Sequence, residues 1–229
     1  GASGLAAACA LSADWRVMVA EKQKRVGRKL LATGNGRCNL TNMKASSENY
    51  HGDAAFIAEV LERYPPRRIR AFFEDLGLMT REEEDGRVYP LCNQASSVLD
   101  VLRFTAAERG ANVATECDIV DIHRTGRGFL ARTRDGRTIQ ARCTLVCCGG
   151  PAAPSLGGCE DGAKLLRELG HAVSPARPVL APLRVAPQLV RSLKGQRQNG
   201  RLTLYVDDRA VRVEDGELLF GDGVLSGIA

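Results

Sequence analysis

The sequence has no run of about eighteen apolar residues, the length that a membrane-spanning helix needs, and no secretory signal pattern at its start. Aromatic residues make up only 5% of its 229 residues, and the basic residues are scattered. The net charge of +5 therefore predicts an ordinary solvated surface, so neither a membrane nor a nucleic acid is an expected partner. One local group of cations is the exception: Lys22, Lys24, Arg25, Arg28 and Lys29.

Cysteine is plentiful, but it lacks the spacing of metal sites and disulfide frameworks. None of the eight cysteines forms a C-x-x-C pair or stands at ligand spacing from a histidine. We expect no metal, free thiols and a reducing cytoplasm. The three histidines are isolated and indicate no catalytic triad: His51, His123 and His171.

The length allows one substantial core and part of a second domain. The chain begins at "GASGL" without methionine and stops at "LSGIA". We expect both ends to lie inside a longer protein, with a first strand missing before residue 1. The oligomeric state cannot be read from these features.

Hydrophobic periodicity predicts helices at 4–12, 66–76, 96–110 and 160–170. In the second helix Pro66 can occupy the first turn, and an apolar face recurs at helical spacing. Ser96 or Ser97 is expected to cap the third. Residues 27–42 are expected to form a long loop because glycine and asparagine are frequent there.

Strand patterns are expected at 15–20, in a hairpin over 81–90 and in short pieces from 112 to 148. The apolar run 143–150 has the pattern of a central parallel strand. Beyond Pro175 prolines become frequent and strands are expected at 201–208 and 209–220. This predicts an α/β domain over 1–175 and an incomplete β-rich domain over 176–229.

The first four residues match the second half of the G-x-G-x-x-G dinucleotide-binding pattern. Gly1 would let the backbone approach a pyrophosphate, and Gly4 would let the helix pack on a sheet. Glu21 ends the next strand about twenty residues later, where a carboxylate can bind ribose hydroxyls and repel a 2′-phosphate. A Rossmann-like domain for FAD or NAD is favoured, while a plain helix start and a surface glutamate remain the alternatives.

The stretch "GRKLLATGNGRCNLTN", residues 27–42, gathers cations, glycines and asparagines. Arg28 and Lys29 can balance a pyrophosphate. Gly34 and Gly36 allow close approach of the backbone to a ligand. The side chains of Asn35, Arg37 and Asn39 supply donors that could hold a flavin ring or its ribityl chain.

Three stretches, "EKQKRVGRKLLATGNGRCNLTN", "GRVYPLCNQASSVLDVL" and "ELLFGDGVLSGIA", resemble the BaiN-like flavoproteins, the aminoacetone oxidase family of NAD(P)/FAD-dependent oxidoreductases. The resemblance covers nearly the whole chain and implies the two-dinucleotide-binding-domain flavoprotein type, with a Rossmann-like FAD-binding domain and the start of an inserted barrel-like domain. It also implies NAD(P)H as a possible co-substrate.

The resemblance implies roles for particular residues. It places the FAD pyrophosphate at Gly1, Ala2, Ser3 and Gly4, the ribose at Glu21 and the adenine at the backbone of Ile119. The cations along the cofactor would be Lys22, Arg28 and Lys29, and the residues near the flavin would be Gly36, Arg37, Cys38 and Asn39. A second strand end that contacts the cofactor would be formed by Gly149 and Gly150. The family usually has a threonine where this chain has Cys148. The threonine hydroxyl is therefore lost at that position.

The leading hypothesis is a cytoplasmic FAD-dependent oxidoreductase acting on a small organic substrate that the sequence does not identify. The alternatives are a flavin-dependent RNA-modifying enzyme and a catalytically silent dinucleotide-binding fragment. No catalytic acid or base is evident. Cys38 is a weak catalytic candidate, because Arg37 beside it would favour a thiolate of lowered pKa, although simple packing of the thiol is the preferred interpretation.

Overall fold

The computed structural model describes residues 1–11, 14–50, 52–179 and 181–227. The chain divides into two compact units, Gly1–Pro175 and Ala176–Ala229. His51, and Ser12 at the end of the first predicted helix, lie outside the described residues. No helix in the described part of the chain is long and apolar enough to cross a membrane.

The first unit alternates helices with short strands. In chain order they are α1 (Ala2–Ala10), β1 (Met18–Ala20), α2 (Arg28–Ala32), β2 (Thr41–Asn42), α3 (Ala54–Arg63), α4 (Pro66–Asp75), β3 (Thr80–Glu82), β4 (Arg87–Pro90), α5 (Ala95–Glu108), β5 (Asn112–Ala114), β6 (Ile119–Thr125), β7 (Gly128–Thr133), β8 (Thr138–Ala141) and α6 (Asp161–Glu168). Three 3₁₀ turns lie at Thr33–Gly36, Ser47–Asn49 and Pro154–Leu156.

The core of this unit lies between α1, α5 and a two-stranded parallel sheet. Strand β1 pairs with β5, with Val19 opposite Val113. On α1, Leu5 and Cys9 are fully buried in one cluster with Leu102 of α5. The small residues of α1 let it pack closely, so its amino end is held in a fixed place beside the end of β1.

Two antiparallel sheets complete the first unit. One has the strand order β2-β4-β3 and the other the order β6-β7-β8. The predicted hairpin over 81–90 is confirmed by β3 and β4, which pair Glu82 with Val88. Helix α4 is confirmed with Pro66 in its first turn. Helix α5 also forms, but its cap position is Gln94, and Ser97 donates from its hydroxyl to the Gln94 carbonyl.

The prediction of a continuous loop over 27–42 is wrong. Helix α2, the 3₁₀ turn Thr33–Gly36 and strand β2 occupy most of that stretch. A helix of five residues is too short for hydrophobic periodicity to reveal. Helix α3 was not predicted either; its N-cap residue is Asp53, whose carboxylate accepts a hydrogen bond of 3.0 Å from the Phe56 amide.

The prediction of a paired central strand over 143–150 is also wrong, since no residue of that run is assigned to a strand. The sheet of β1 and β5 contains no third strand among the described residues. The run still behaves as extended chain between two helices. A Cβ on Gly4 of α1 would contact Cys147, whereas one on Gly162 of α6 would meet Cys148. Neighbouring side chains thus face opposite helices, as in a strand.

The second unit is β-rich. It contains β9 (Leu183–Arg184), α7 (Pro187–Val190), a 3₁₀ turn at Arg191–Leu193, β10 (Arg197–Val206), β11 (Arg209–Phe220) and β12 (Val224–Gly227). The strand order is β10-β11-β12-β9, and all pairs are antiparallel. Both strands expected here form, and β10 begins four residues earlier than expected, at Arg197.

Candidate cofactor site

The amino end of α1 is open and uncapped. Gly1 is the N-cap residue; among the described residues no side chain caps the helix, and no further atom lies within 4 Å of where a Gly1 Cβ would stand. The first N–H groups of a helix have no partner within it, and the helix dipole adds a partial positive charge. Ala2, Ser3 and Gly4 therefore present donors suited to an anion.

Glu21 lies directly beside this helix end. Its amide donates to the Ala114 carbonyl over 2.9 Å, so it continues the pairing of β1 with β5. Its carboxylate accepts a hydrogen bond of 2.9 Å from the Gln23 amide, and the second oxygen, Oε2, lies 3.4 Å from the main-chain nitrogen of Gly1. The predicted ribose carboxylate and the predicted phosphate-binding helix end are thus brought together.

Ile119 follows the segment that pairs with this turn. The Cys117 amide donates to the Glu21 carbonyl over 2.9 Å, and Ile119 begins β6 two residues later, opposite Thr133. Ile119 therefore stands two residues from a direct contact with the Glu21 backbone, at the start of a separate sheet. A role at the adenine stays a prediction.

Lys22 is engaged by an acid that the sequence analysis did not single out. Its Nζ lies 2.6 Å from Oδ2 of Asp161, the first residue of α6. This hydrogen bond raises the pKa of Lys22 and lowers the pKa of Asp161. Asp161 was missed because it stands 139 residues away in sequence. Its place at the start of a predicted helix was the only local signal.

Arg28 and Lys29 have neutral partners instead. Arg28 donates to the side-chain oxygen of Gln23 and to the carbonyl of Ser155, each over 3.0 Å. Lys29 donates to the Gly150 carbonyl over 3.2 Å. Within the described ranges, neither cation forms an ion pair. In the described part of the chain, the charges of Arg28 and Lys29 are therefore not balanced by a carboxylate. Both residues follow shortly after strand β1.

Gly149 and Gly150 lie beside Lys29. Gly149 has φ 75°, in the left-handed region that glycine adopts without strain, and a Cβ there would point to within 4.0 Å of Lys29 Nζ. The structure therefore brings the predicted second strand end to the predicted phosphate cations. It forms one cluster from Gly1–Gly4, Glu21, Arg28, Lys29 and Gly149–Gly150.

The predicted flavin-contacting residues are in a different environment. Arg37 pairs with Glu83 over 2.8 Å, and its guanidinium carbon lies 3.9 Å from the centre of the Tyr89 ring. Glu83 belongs to the acidic run 82–84 and is a partly buried ion-pair partner. Gly36 and Asn39 are exposed, and the Asn39 side chain makes a long contact of 3.4 Å to the Thr41 carbonyl.

Cys38 does not have the environment of a reactive thiol. It is buried, and burial is the main cause that raises its pKa, although a hydrogen bond with Thr33 acts in the opposite direction. Burial thus favours packing of the thiol, the interpretation preferred from the sequence, over a thiolate whose pKa Arg37 lowers. The guanidinium that was expected to stabilise a thiolate is directed to Glu83 and Tyr89.

An uncapped helix end, a strand-end carboxylate and nearby unneutralised cations define a Rossmann-like nucleotide-binding domain. The family described as "HI0933-like protein Rossmann domain" matches residues 1–220. The chain belongs to this family. The match confirms the resemblance stated above and the prediction of a Rossmann-like α/β domain.

Three comparisons illustrate the range of similar proteins. The 3-dehydro-bile acid delta(4,6)-reductase of Clostridium scindens is 34% identical over 100% of this chain and 56% of its own length. The ribosomal RNA dihydrouridine synthase of Haemophilus influenzae is 27% identical over 80% of this chain and 46% of its own length. The crystal structure of THI4 from Thermovibrio ammonificans has a TM-score of 0.48 and 15% identity, covering 84% of this chain and 67% of that one. The chain spans about half the length of the two curated relatives.

Proposed function

We propose that this chain is the FAD-binding part of an FAD-dependent oxidoreductase that acts on a small organic substrate. The observation that carries the proposal is the position of Glu21 beside the uncapped amino end of α1. Family membership supports FAD as the cofactor, and a reductase relative that matches the whole chain supports the reaction class.

The residues present fit an adenine dinucleotide. Each Glu21 oxygen can accept from a ribose hydroxyl, and the carboxylate opposes a 2′-phosphate. The first amides of α1 suit the pyrophosphate, and the open space at Gly1 leaves room for it. Arg28 and Lys29 can exchange neutral carbonyl acceptors for phosphate oxygens without breaking an ion pair.

Bound FAD would supply the hydride-accepting and hydride-donating chemistry, and this chain would hold and orient it. NAD(P)H is the proposed source of the hydride. The cytoplasm is the proposed compartment. All eight cysteines are free thiols, which fits a reducing environment.

The Glu21→Gln variant of the full-length protein tests the proposal. Loss of charge-assisted hydrogen bonds to the ribose should weaken FAD affinity about 10- to 100-fold. Flavin fluorescence quenching on titration into the apoprotein measures this. Glu62→Gln on the exposed face of α3 is the matched control and should leave affinity unchanged. An unchanged affinity for Glu21→Gln would overturn the assignment.

A second candidate is a flavin-dependent enzyme that modifies RNA, because a relative carries the name ribosomal RNA dihydrouridine synthase. One surface supports it. On α4, exposed Arg67 has no carboxylate partner among the described residues, and Arg68 stacks over the ring of Tyr64 at 4.9 Å. Exposed arginines beside an aromatic ring suit a nucleic acid backbone and its bases.

Binding of the full-length protein to a ribosomal RNA transcript separates the two candidates. An RNA enzyme should bind it with an affinity that falls steeply with salt and that drops for the double variant Arg67→Ala/Arg68→Ala. The exposed pair Arg124→Ala/Arg127→Ala on β6 and its turn is the matched control. Absence of salt-sensitive binding would remove this candidate and leave the small-molecule oxidoreductase.

A further inference from the structure

The segment 149–160 contacts Arg28 and Lys29 of the candidate site and has little regular structure of its own. Apart from the 3₁₀ turn Pro154–Leu156, it has no helix or strand. We call it the strap. It folds closely on itself, because a Cβ on Gly158 would overlap the Ala152 carbonyl oxygen. Its contacts with the candidate site are made by side chains from elsewhere in the chain.

Three cations from the segment 22–29 hold the strap and the helix that follows it. Lys29 binds the Gly150 carbonyl near its beginning, and Arg28 binds the Ser155 carbonyl at its middle. Lys22 binds Asp161 directly after its end, over 2.6 Å. The strap is thus attached at two points along its length, and the helix that follows it is attached at a third.

The three attachments differ in charge. Arg28 and Lys29 bind neutral oxygens, so an arriving phosphate competes favourably for them. Lys22 already has an anionic partner, and a phosphate near it would also meet the negative charge of Asp161. The ion pair between Lys22 and Asp161 is therefore expected to persist when an anion binds.

We propose that the Lys22–Asp161 pair is a permanent brace that keeps the strap over the cofactor while Arg28 and Lys29 turn to the pyrophosphate. Lys22 is then a positioning residue and not a ligand of the cofactor. This inference rests on the proposed function. It assigns Lys22 a role different from the one that the family resemblance implies.

A double-mutant cycle with Lys22→Met, Asp161→Asn and the double variant, made in the full-length protein, tests the brace. A half-exposed ion pair contributes modestly, so each single variant should speed FAD dissociation about threefold. The double variant should match the singles, because one interaction is lost in all three. Hydrogen exchange across residues 149–160 of the apoprotein should rise by a similar factor, with the urea midpoint nearly unchanged.

The pair Lys194–Asp222 in the second unit offers matched controls, since its atoms lie 2.9 Å apart and both side chains are exposed. Lys194→Met and Asp222→Asn should change neither measurement. Unchanged exchange in the Lys22 and Asp161 variants, or effects that add in the double variant, would overturn the brace. Failure of the wild-type protein to bind FAD would instead overturn the proposed function, because the exchange of the apoprotein is measured without FAD.

Discussion

The two halves of the segment 27–39 use similar residues in different ways. In the helical half, 27–32, Arg28 and Lys29 extend to neutral carbonyls and form no ion pair within the described part of the chain. In the turn half, 33–39, Arg37 is held by Glu83 and Tyr89, and Cys38 is buried. The first half keeps its charge available to a ligand, and the second uses its charge to stabilise the fold.

This difference shows that a cation in a glycine-rich motif is informative only together with its partner. A guanidinium already paired with a carboxylate must give up that pair to bind phosphate, whereas one on a carbonyl oxygen loses less. The comparison makes predictions for stability, for cofactor affinity and for thiol chemistry.

The largest expected effect is at the start of the helical half. Gly27 has φ 78°, and a Cβ there would overlap Leu99 of α5. Gly27→Ala therefore combines backbone strain with overpacking and should cost about 3 kcal/mol of unfolding free energy. Urea unfolding followed by circular dichroism measures it.

Gly110→Ala is the matched control, because Gly110 has φ 80° and open space around it. Strain alone should cost about 1 kcal/mol there. Equal losses in the two variants would mean that contact with Leu99 does not anchor the helical half.

Replacing the cations with neutral residues should distinguish the helical half, which affects FAD affinity, from the turn half, which affects stability. Arg28→Met and Lys29→Met should each weaken FAD binding about tenfold, because each removes a charge-assisted contact, and both should reduce the salt dependence of affinity. Arg37→Met should change affinity less than about threefold and instead lower stability by about 1 kcal/mol. Fluorescence titration and urea unfolding give the two quantities, and the reverse pattern would contradict the comparison.

Cys38 provides a smaller test in the turn half. Cys38→Ala should cost about 1 kcal/mol of stability and leave the pH profile of turnover unchanged. Since burial raises its thiol pKa, iodoacetamide should modify Cys38 slowly in the native protein. Cys92 is exposed, and a hydrogen bond with Ser97 lowers its pKa, so it should react much earlier. Peptide mass spectrometry measures the modification of each cysteine. Rapid modification of Cys38 in the native protein would contradict the burial of its thiol.

The smallest effect concerns pH and the Lys22–Asp161 brace. The pKa of Asp161 is lowered from 3.8, so its contribution is present above that value and is lost as pH falls through the lowered one. The pKa of Lys22 is raised from 10.5, so its contribution is present below 10.5 and is lost as pH rises through the raised value. The amide hydrogen exchange of the strap, corrected for intrinsic rates, should therefore not change with pH between these limits.

Three further groups face this ion pair: Asp118, Arg134 and Cys159. Asp118 pairs with Arg134 over 2.7 Å, which keeps that corner close to electrical balance. A step in strap exchange near neutral pH, absent from the Asp161→Asn variant, would show that the brace titrates differently.

Much of the fold could be predicted from local patterns. Pro66 and the apolar spacing after it identified α4, and the strand pattern over 81–90 identified the β3–β4 hairpin. These signals act within a few residues of each other. The run 143–150 shows their limit, because apolar character indicates a buried strand while pairing depends on a neighbour elsewhere in the chain.

The candidate site was predictable where a residue follows a known motif at a fixed distance in sequence. Glu21 was located by its distance from the glycines, and the structure places it beside Gly1. The partners of the cations were not predictable. Glu83 lies 46 residues from Arg37 and Asp161 lies 139 residues from Lys22. Such pairs form through tertiary contacts that no spacing rule encodes.

Helix α1 also sets a limit on sequence change at a position that need not touch a ligand. A Cβ on Gly4 would lie 3.4 Å from that of Cys147, an ordinary contact distance, so alanine fits there. Any larger side chain would tilt the helix and move its first amides. Mutational scanning for ligand binding should therefore tolerate glycine and alanine at residue 4 and reject every larger side chain. The volume of this side chain, and not its contact with the ligand, would decide the outcome.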